Sequence, residues 1–200
     1  MENKIVFFGD SLVAGYGLKD PFSESIPALI NAKLKKLGLK YTVVNAGLSG
    51  DTTASALSRL GQVLNENPAI FILELGANDF LRGISPVLIR SNLQLIINKV
   101  KSTCPSASIL LLGIELPDWA TGRHQSDYSG IFPALAEKNG LSLVPSFLKN
   151  VAGIRALNMY DGVHPLKKDT RSRRKISGRN CTELFRSVRA FKETDRRYLL

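Results

Sequence analysis

Ile5-Val6-Phe7-Phe8-Gly9-Asp10-Ser11-Leu12 is the stretch on which the fold turns. Four apolar residues ended by a glycine predict a buried strand that stops and turns sharply. Ser11 then stands at the carboxyl end of that strand, where open α/β sheets place their ligand crevices. A serine in this position also serves as an ordinary helix cap. The far end of the chain decides which reading to pursue. Asp161-Gly162-Val163-His164-Pro165 holds one of only two histidines, with an acid three residues before it. A serine, a histidine and an acid that orients the imidazole are the parts of an activated hydroxyl nucleophile.

Outward from Ser11, strand and helix patterns alternate. Val13 to Pro21 reads as loop or helix entry. Ile26, Leu29, Ile30, Leu34 and Leu37 recur at helical spacing, and Gly38 supplies the stop. Tyr41 to Val44 predicts a second strand that ends in Asn45-Ala46-Gly47, and a helix follows from about Thr52 to Leu64. Pro68 breaks that helix, and Ala69 to Leu75 predicts a third buried strand ending at Gly76. A long helix opens at Pro86 and runs to a break at Pro105. Ser108 to Ile114 is a fourth strand, Ile131 to Asn139 a helix, and Leu141 to Val144 a short fifth strand. The connections are long enough for crossovers, which predicts a parallel sheet covered on both faces. Such a sheet brings Ser11, the 47–51 loop, the 76–79 loop and the 115–123 segment to one edge.

The 200 residues suit one domain, and 44% hydrophobic with 22% charged is ordinary for a globular chain. No apolar run is long enough to span a bilayer, and residues 1–8 are too short a stretch for a signal peptide. The chain reads as cytoplasmic, or as a periplasmic or secreted protein written without its leader. Cys104 and Cys181 are too few and too scattered for a disulfide framework or a metal site. Residues 167–200 carry 12 of the 27 Lys and Arg and 4 of the 17 Asp and Glu, so +8 of the +10 net charge lies there. The basicity belongs to the tail, and the main body offers no argument for nucleic acid.

Acyl transfer needs a nucleophile, a base, and donors aimed at the developing oxyanion. Ser11 would attack, His164 would take its proton, and Asp161 would hold the imidazole. Asn45-Ala46-Gly47-Leu48-Ser49-Gly50-Asp51 and Gly76-Ala77-Asn78-Asp79 could supply the donors: the Gly50 N–H and the Asn78 side-chain amide. Each piece also has a plainer reading, Gly50 as a turn glycine and Asn78 with Asp79 as a helix cap. Asp10 is expected to brace the first loop by accepting backbone hydrogen bonds. His124 has no partner at suggestive spacing.

Taken together, Gly9-Asp10-Ser11-Leu12, the Gly50 loop, Gly76-Ala77-Asn78-Asp79 and Asp161-x-x-His164 resemble the four motif blocks of the SGNH hydrolases, or GDSL esterases. Within that family the chain is most similar to the bacterial thioesterase, arylesterase and lysophospholipase branch, over residues 1 to about 166. Glu115-Leu116-Pro117 and Asn150-Val151-Ala152-Gly153 belong to the likeness. The resemblance implies a flavodoxin-like three-layer α/β/α sandwich with five parallel strands. It also implies Ser11, Asp161 and His164 as the triad, and an oxyanion hole from the Ser11 and Gly50 N–H groups and Asn78. It implies no cofactor and no metal. The expected partner is a small acyl ester or thioester substrate, and the chain is expected to be a monomer. The acyl pocket is expected among Phe80, Leu81, Ile84, Leu116, Pro117 and Trp119, although Trp119 could equally pack its own loop.

Past Leu166 the likeness stops. The family continues from its His-Pro into an amphipathic helix; here Lys167-Lys168-Asp169-Thr170-Arg171-Ser172-Arg173-Arg174-Lys175 follows. Apolar spacing returns only at Cys181, Leu184, Phe185, Val188 and Phe191. A reading frame shifted near Leu166, an adapted basic arm and a displaced last helix each account for this, and the abrupt change in composition favours the first. Besides an acyl hydrolase, the alternatives are a carbohydrate acetylesterase of the same fold, or a catalytically impaired binding protein with a basic tail. Contact with a membrane surface would come through a lipid substrate or through that tail.

Overall fold

The computed structural model describes residues 3–114 and 125–148 together with positions 155, 159, 160 and 164. Five strands form one sheet: β1 (Asn3–Gly9), β2 (Tyr41–Gly47), β3 (Ile70–Glu74), β4 (Ser108–Leu112) and β5 (Ser142–Val144). Their order is β2-β1-β3-β4-β5 and every pairing is parallel. This is the doubly wound flavodoxin-like order, whose switch point lies between β1 and β3. All five strands are where the sequence pattern put them.

Alternation along each strand divides the core in two. Val6, Phe8, Phe71, Leu73, Ile109 and Leu111 face one layer of helices. That layer is α4 (Thr53–Leu64), α6 (Pro86–Thr103) and α8 (Ile131–Asn139), joined by Tyr128 of the short α7 (Gln125–Ser129). Ile5, Phe7, Ile70, Ile72, Leu110 and Leu112 face the other way, towards α1 (Ser11–Ala14), α3 (Ile26–Lys36), Phe147 and Leu148. Each such buried side chain contributes about 1.5–3 kcal/mol, which is why the central strands read as unbroken apolar runs.

Helix ends follow local chemistry. Ser25 caps α3 by accepting from the Ala28 N–H, and Lys33, Lys35 and Lys36 sit at its negative end. Thr52 caps α4 reciprocally with Ser55, a capping box in which a serine stands where Glu or Gln is usual. Ser85 caps α6, with Pro86 in its first turn. Val13 to Pro21, read as loop or helix entry, holds both. α1 extends to Ala14, and α2 (Pro21–Glu24) forms a single turn capped by Asp20. Both are too short to carry a periodic signal.

Among the described residues no helix is long and apolar enough to cross a membrane. Leu116, Pro117, Trp119, His124, Asp161, Cys181 and all of the basic segment lie outside the described residues.

Candidate active site

The ends of β1, β2 and β3 place their loops at one edge of the sheet, and the loop after β1 is the most tightly specified. Asp10 is the N-cap of α1, its Oδ1 accepting the Leu12 N–H at 3.0 Å. This is the bracing role expected of it, and it forces Ser11 into the first helical position directly off the strand. Ser11 is 7% exposed, so the residue is buried in its turn. Its Oγ is 2.6 Å from Nε2 of His164, 153 residues away in the chain. With Nδ1 protonated, the serine hydroxyl donates to Nε2, the arrangement a general base needs before it takes that proton. The Tyr16 ring packs against the His164 ring at 4.9 Å between centroids. The Met159 N–H donates to the His164 carbonyl at 2.6 Å, closing the loop on itself.

The second loop leaves β2 and enters α4. Gly50 has φ of +80°, a left-handed conformation that a side chain would strain. Arg82 Nη2 donates to the Gly50 carbonyl at 2.9 Å, tying the Gly50–Asp51 peptide to the residues that follow α5. The third loop leaves β3 through Gly76, at φ of +122°, into α5 (Ala77–Leu81). Asn78 in α5 donates from Nδ2 to Asp10 Oδ2 at 2.9 Å. The primary amide has a second hydrogen, free to meet a ligand oxygen.

Asn78 and Asp79 are not a cap of their own helix: Gly76 is the N-cap and no side chain bonds there. Asp79, 1% exposed, reaches across to α4 instead. It accepts from the Thr53 N–H at 2.8 Å and from Thr53 Oγ1 at 2.6 Å, and Asn92 Nδ2 donates to the same Thr53 oxygen at 3.0 Å. The second and third loops are thereby tied together. Arg59 of α4 ties the first and second. It lies over the Phe8 ring at 4.3 Å and donates to the carbonyls of Gly9 at 3.1 Å and Ala46 at 2.8 Å. It also pairs with Asp51 at 2.7 Å. Sequence reasoning singled out neither Arg59 nor the Asp79–Thr53 link, because no local pattern marks a partner on another strand.

Beneath Ser11 lies a second carboxyl. Glu74, fully buried at the end of β3, accepts the Asp10 N–H on Oε2 at 3.3 Å. Burial pushes the Glu74 carboxyl well above the ordinary range, and the nearby Asp10 charge pushes it further. Burial raises Asp10 too, but the Leu12 N–H, the Glu74 carboxyl and the His164 charge oppose the rise.

Of the expected pocket residues, Leu81 is half exposed at this edge. Phe80 and Ile84 lean partly into the core, Phe80 with its ring 5.2 Å from that of Tyr128. Among the described residues no three His, Cys, Asp or Glu side chains gather as a metal-binding group.

Comparison with known proteins gives the same picture from outside. Residues 7–168 match the model of the GDSL-like lipase/acylhydrolase family. The chain is 39% identical over 162 residues to the esterase TesA of Pseudomonas aeruginosa, covering 80% of this chain and 79% of that one. It is 37% identical over 162 residues to the thioesterase 1/protease 1/lysophospholipase L1 of Escherichia coli K12, covering 80% and 74%. A crystal structure of TesA superposes with a TM-score of 0.83 at 34% identity, over 94% of this chain and 99% of that one.

Proposed function

The chain belongs to the GDSL-like lipase/acylhydrolase family, and on that premise we propose that it hydrolyses carboxylic esters or thioesters of acyl groups through Ser11. The observation that carries this reading is the 2.6 Å approach of Ser11 Oγ to His164 Nε2. Ser11 Oγ attacks the carbonyl carbon while His164 Nε2 takes the hydroxyl proton. The C=O π bond opens to a tetrahedral oxyanion. The Ser11 N–H, the Gly50 N–H and the second N–H of Asn78 donate to that oxygen. Each such donor is worth about 10²–10³ in rate. The imidazolium then gives its proton to the departing alcohol or thiol, and the C–O or C–S bond breaks. Water, deprotonated by the same nitrogen, releases the acid from the acyl-enzyme. Asp161, outside the described residues, is the proposed partner of His164 Nδ1.

The test is hydrolysis of a short aryl ester by wild type and by Ser11→Ala. A loss of about 10⁴-fold or more supports the reading; equal rates, or none in either protein, overturn it. Acyl preference is the finer part. Leu81 with Phe80, Ile84, Leu116, Pro117 and Trp119 is proposed to form the acyl pocket. Each methylene that enters an apolar pocket contributes about 0.8 kcal/mol, or about fourfold in kcat/KM. A profile that peaks at acetyl instead favours a carbohydrate acetylesterase.

Residues 167–200 are proposed to be a basic segment outside the catalytic domain of residues 1–166. In support, the family match ends at residue 168 and +8 of charge lies beyond residue 166. If the segment meets anionic lipid, attachment to such vesicles falls steeply with added salt; attachment indifferent to salt removes that role.

A further inference from the structure

Glu74 is a charged residue type at a place where none is needed for the sheet. β3 is fully buried along its length, and Glu74 is aligned with Gly9 across the β1–β3 pairing. A Cβ on Gly9 would lie 2.8 Å from Glu74 Oε2 and 2.6 Å from the Glu74 carbonyl oxygen, so the glycine leaves the space that this carboxyl fills. From there Glu74 Oε2 meets the Asp10 N–H, while Glu74 Oε1 is buried with no hydrogen-bond partner. Asp10 in turn holds both halves of the site: Oδ1 accepts the Leu12 N–H of the turn that presents Ser11, and Oδ2 accepts Asn78 Nδ2.

We propose that Glu74 is a positioning residue: through Asp10 it sets the turn that presents Ser11 and the plane of the Asn78 amide. The proposal rests on the ester-hydrolase reading above. Two carboxyls this close and this buried do not both ionise. Asp10 accepts two N–H bonds, so the negative charge stays there and the proton stays on Glu74. Tyr128 from α7 and Asp79 from α5 add no cation that could neutralise a second charge. Arg59 from α4 spends its reach on Gly9 O, Ala46 O and Asp51. Neutral Glu74 accepts from the Asp10 N–H on Oε2 and adds no second negative charge beside the Asp10 carboxylate. An ionised Glu74 would push Asp10 away and turn the Asn78 amide with it.

The experiment compares kcat and KM for a short aryl ester in wild type, Glu74→Gln and Glu74→Leu, each with Asn78 and with Asn78→Ala. Infrared difference spectra of wild type against Glu74→Gln near neutral pH read the protonation state. Glutamine keeps a neutral acceptor in the same place, so E74Q is expected to keep kcat within about fivefold. E74L removes it and is expected to lower kcat by about 10–100-fold, with KM changed by less than about threefold. In the Asn78→Ala background the E74L loss shrinks, because part of what Glu74 positions is gone. The infrared difference shows a protonated carboxyl C=O band that E74Q lacks. E74Q as impaired as E74L, an undiminished E74L loss without Asn78, or no such band overturns the proposal. If E74L does not fold, E74Q and the spectrum decide. If the wild type hydrolyses no ester, the hydrolase reading falls, and the infrared band alone still supports or overturns a neutral Glu74 under Asp10.

Discussion

Substituting alanine for Gly47 tests how closely the nucleophile turn is held to the sheet. Gly47 ends β2, opposite Gly9 in register. A Cβ there would lie 2.3 Å from the Ala14 backbone nitrogen and 2.8 Å from both Ala14 Cα and the Val13 carbonyl carbon. All three atoms are backbone of α1, the helix that begins at Ser11, so no side-chain rotation relieves the clash. Ordinary contact begins near 3.4 Å, and α1 and the end of β2 would have to separate by about 1 Å. Asn45 resists this, donating from Nδ2 to the Val13 carbonyl at 3.0 Å and accepting the Gly47 N–H at 3.0 Å. Overpacking costs about 1–3 kcal/mol and one strained hydrogen bond about 1 more. At about 2–4 °C per kcal/mol for a chain of this size, G47A should melt about 5–15 °C lower. A nucleophile displaced by about 1 Å loses about 10² in kcat. Gly61→Ala is the internal control: nothing lies within 4 Å of its Cβ, and it sits inside α4. G61A should gain about 0.5–1 kcal/mol with activity unchanged. Melting by calorimetry and aryl-ester kinetics on both variants decide the matter. A G47A protein that melts like wild type and keeps kcat within about threefold would refute the reasoning.

Removing the Asp79 carboxylate strips Thr53 of two charge-assisted hydrogen bonds at the entry of α4. Asp79→Ala is expected to lose about 3–5 kcal/mol in urea unfolding, with Asn92→Ala costing less, since Thr53 keeps Asp79 there. Stability also depends on pH through Glu74. Its folded-state value is raised, so its contribution is intact below the unfolded value of 4.5 and declines as pH rises towards the folded value. Glu74→Gln does not ionise, and its melting temperature relative to wild type should climb steadily from pH 4.5 upward. A constant difference across that range would show that Glu74 titrates alike in both states.

The local chemistry was legible without coordinates. Runs of four to seven mostly apolar residues, set between glycine, proline and polar breaks, are the signal behind the five strands. Caps such as Ser25 and Ser85 work through the backbone two or three residues on, so neighbours in sequence suffice to see them. The pairing of Ser11 with His164 was open to expectation because their residue types carry the chemistry. Its 2.6 Å geometry depends on the β2-β1-β3 order, which brings the loops to one edge. Arg59, Glu74 and Gly47 carry no local pattern that marks their partners. Each acquires its role from an atom 33 to 64 residues away: the Gly9 carbonyl, the Asp10 N–H and the Ala14 nitrogen. Periodicity and capping are properties of one segment. Register is a property of two, and only the folded sheet brings those atoms to one place.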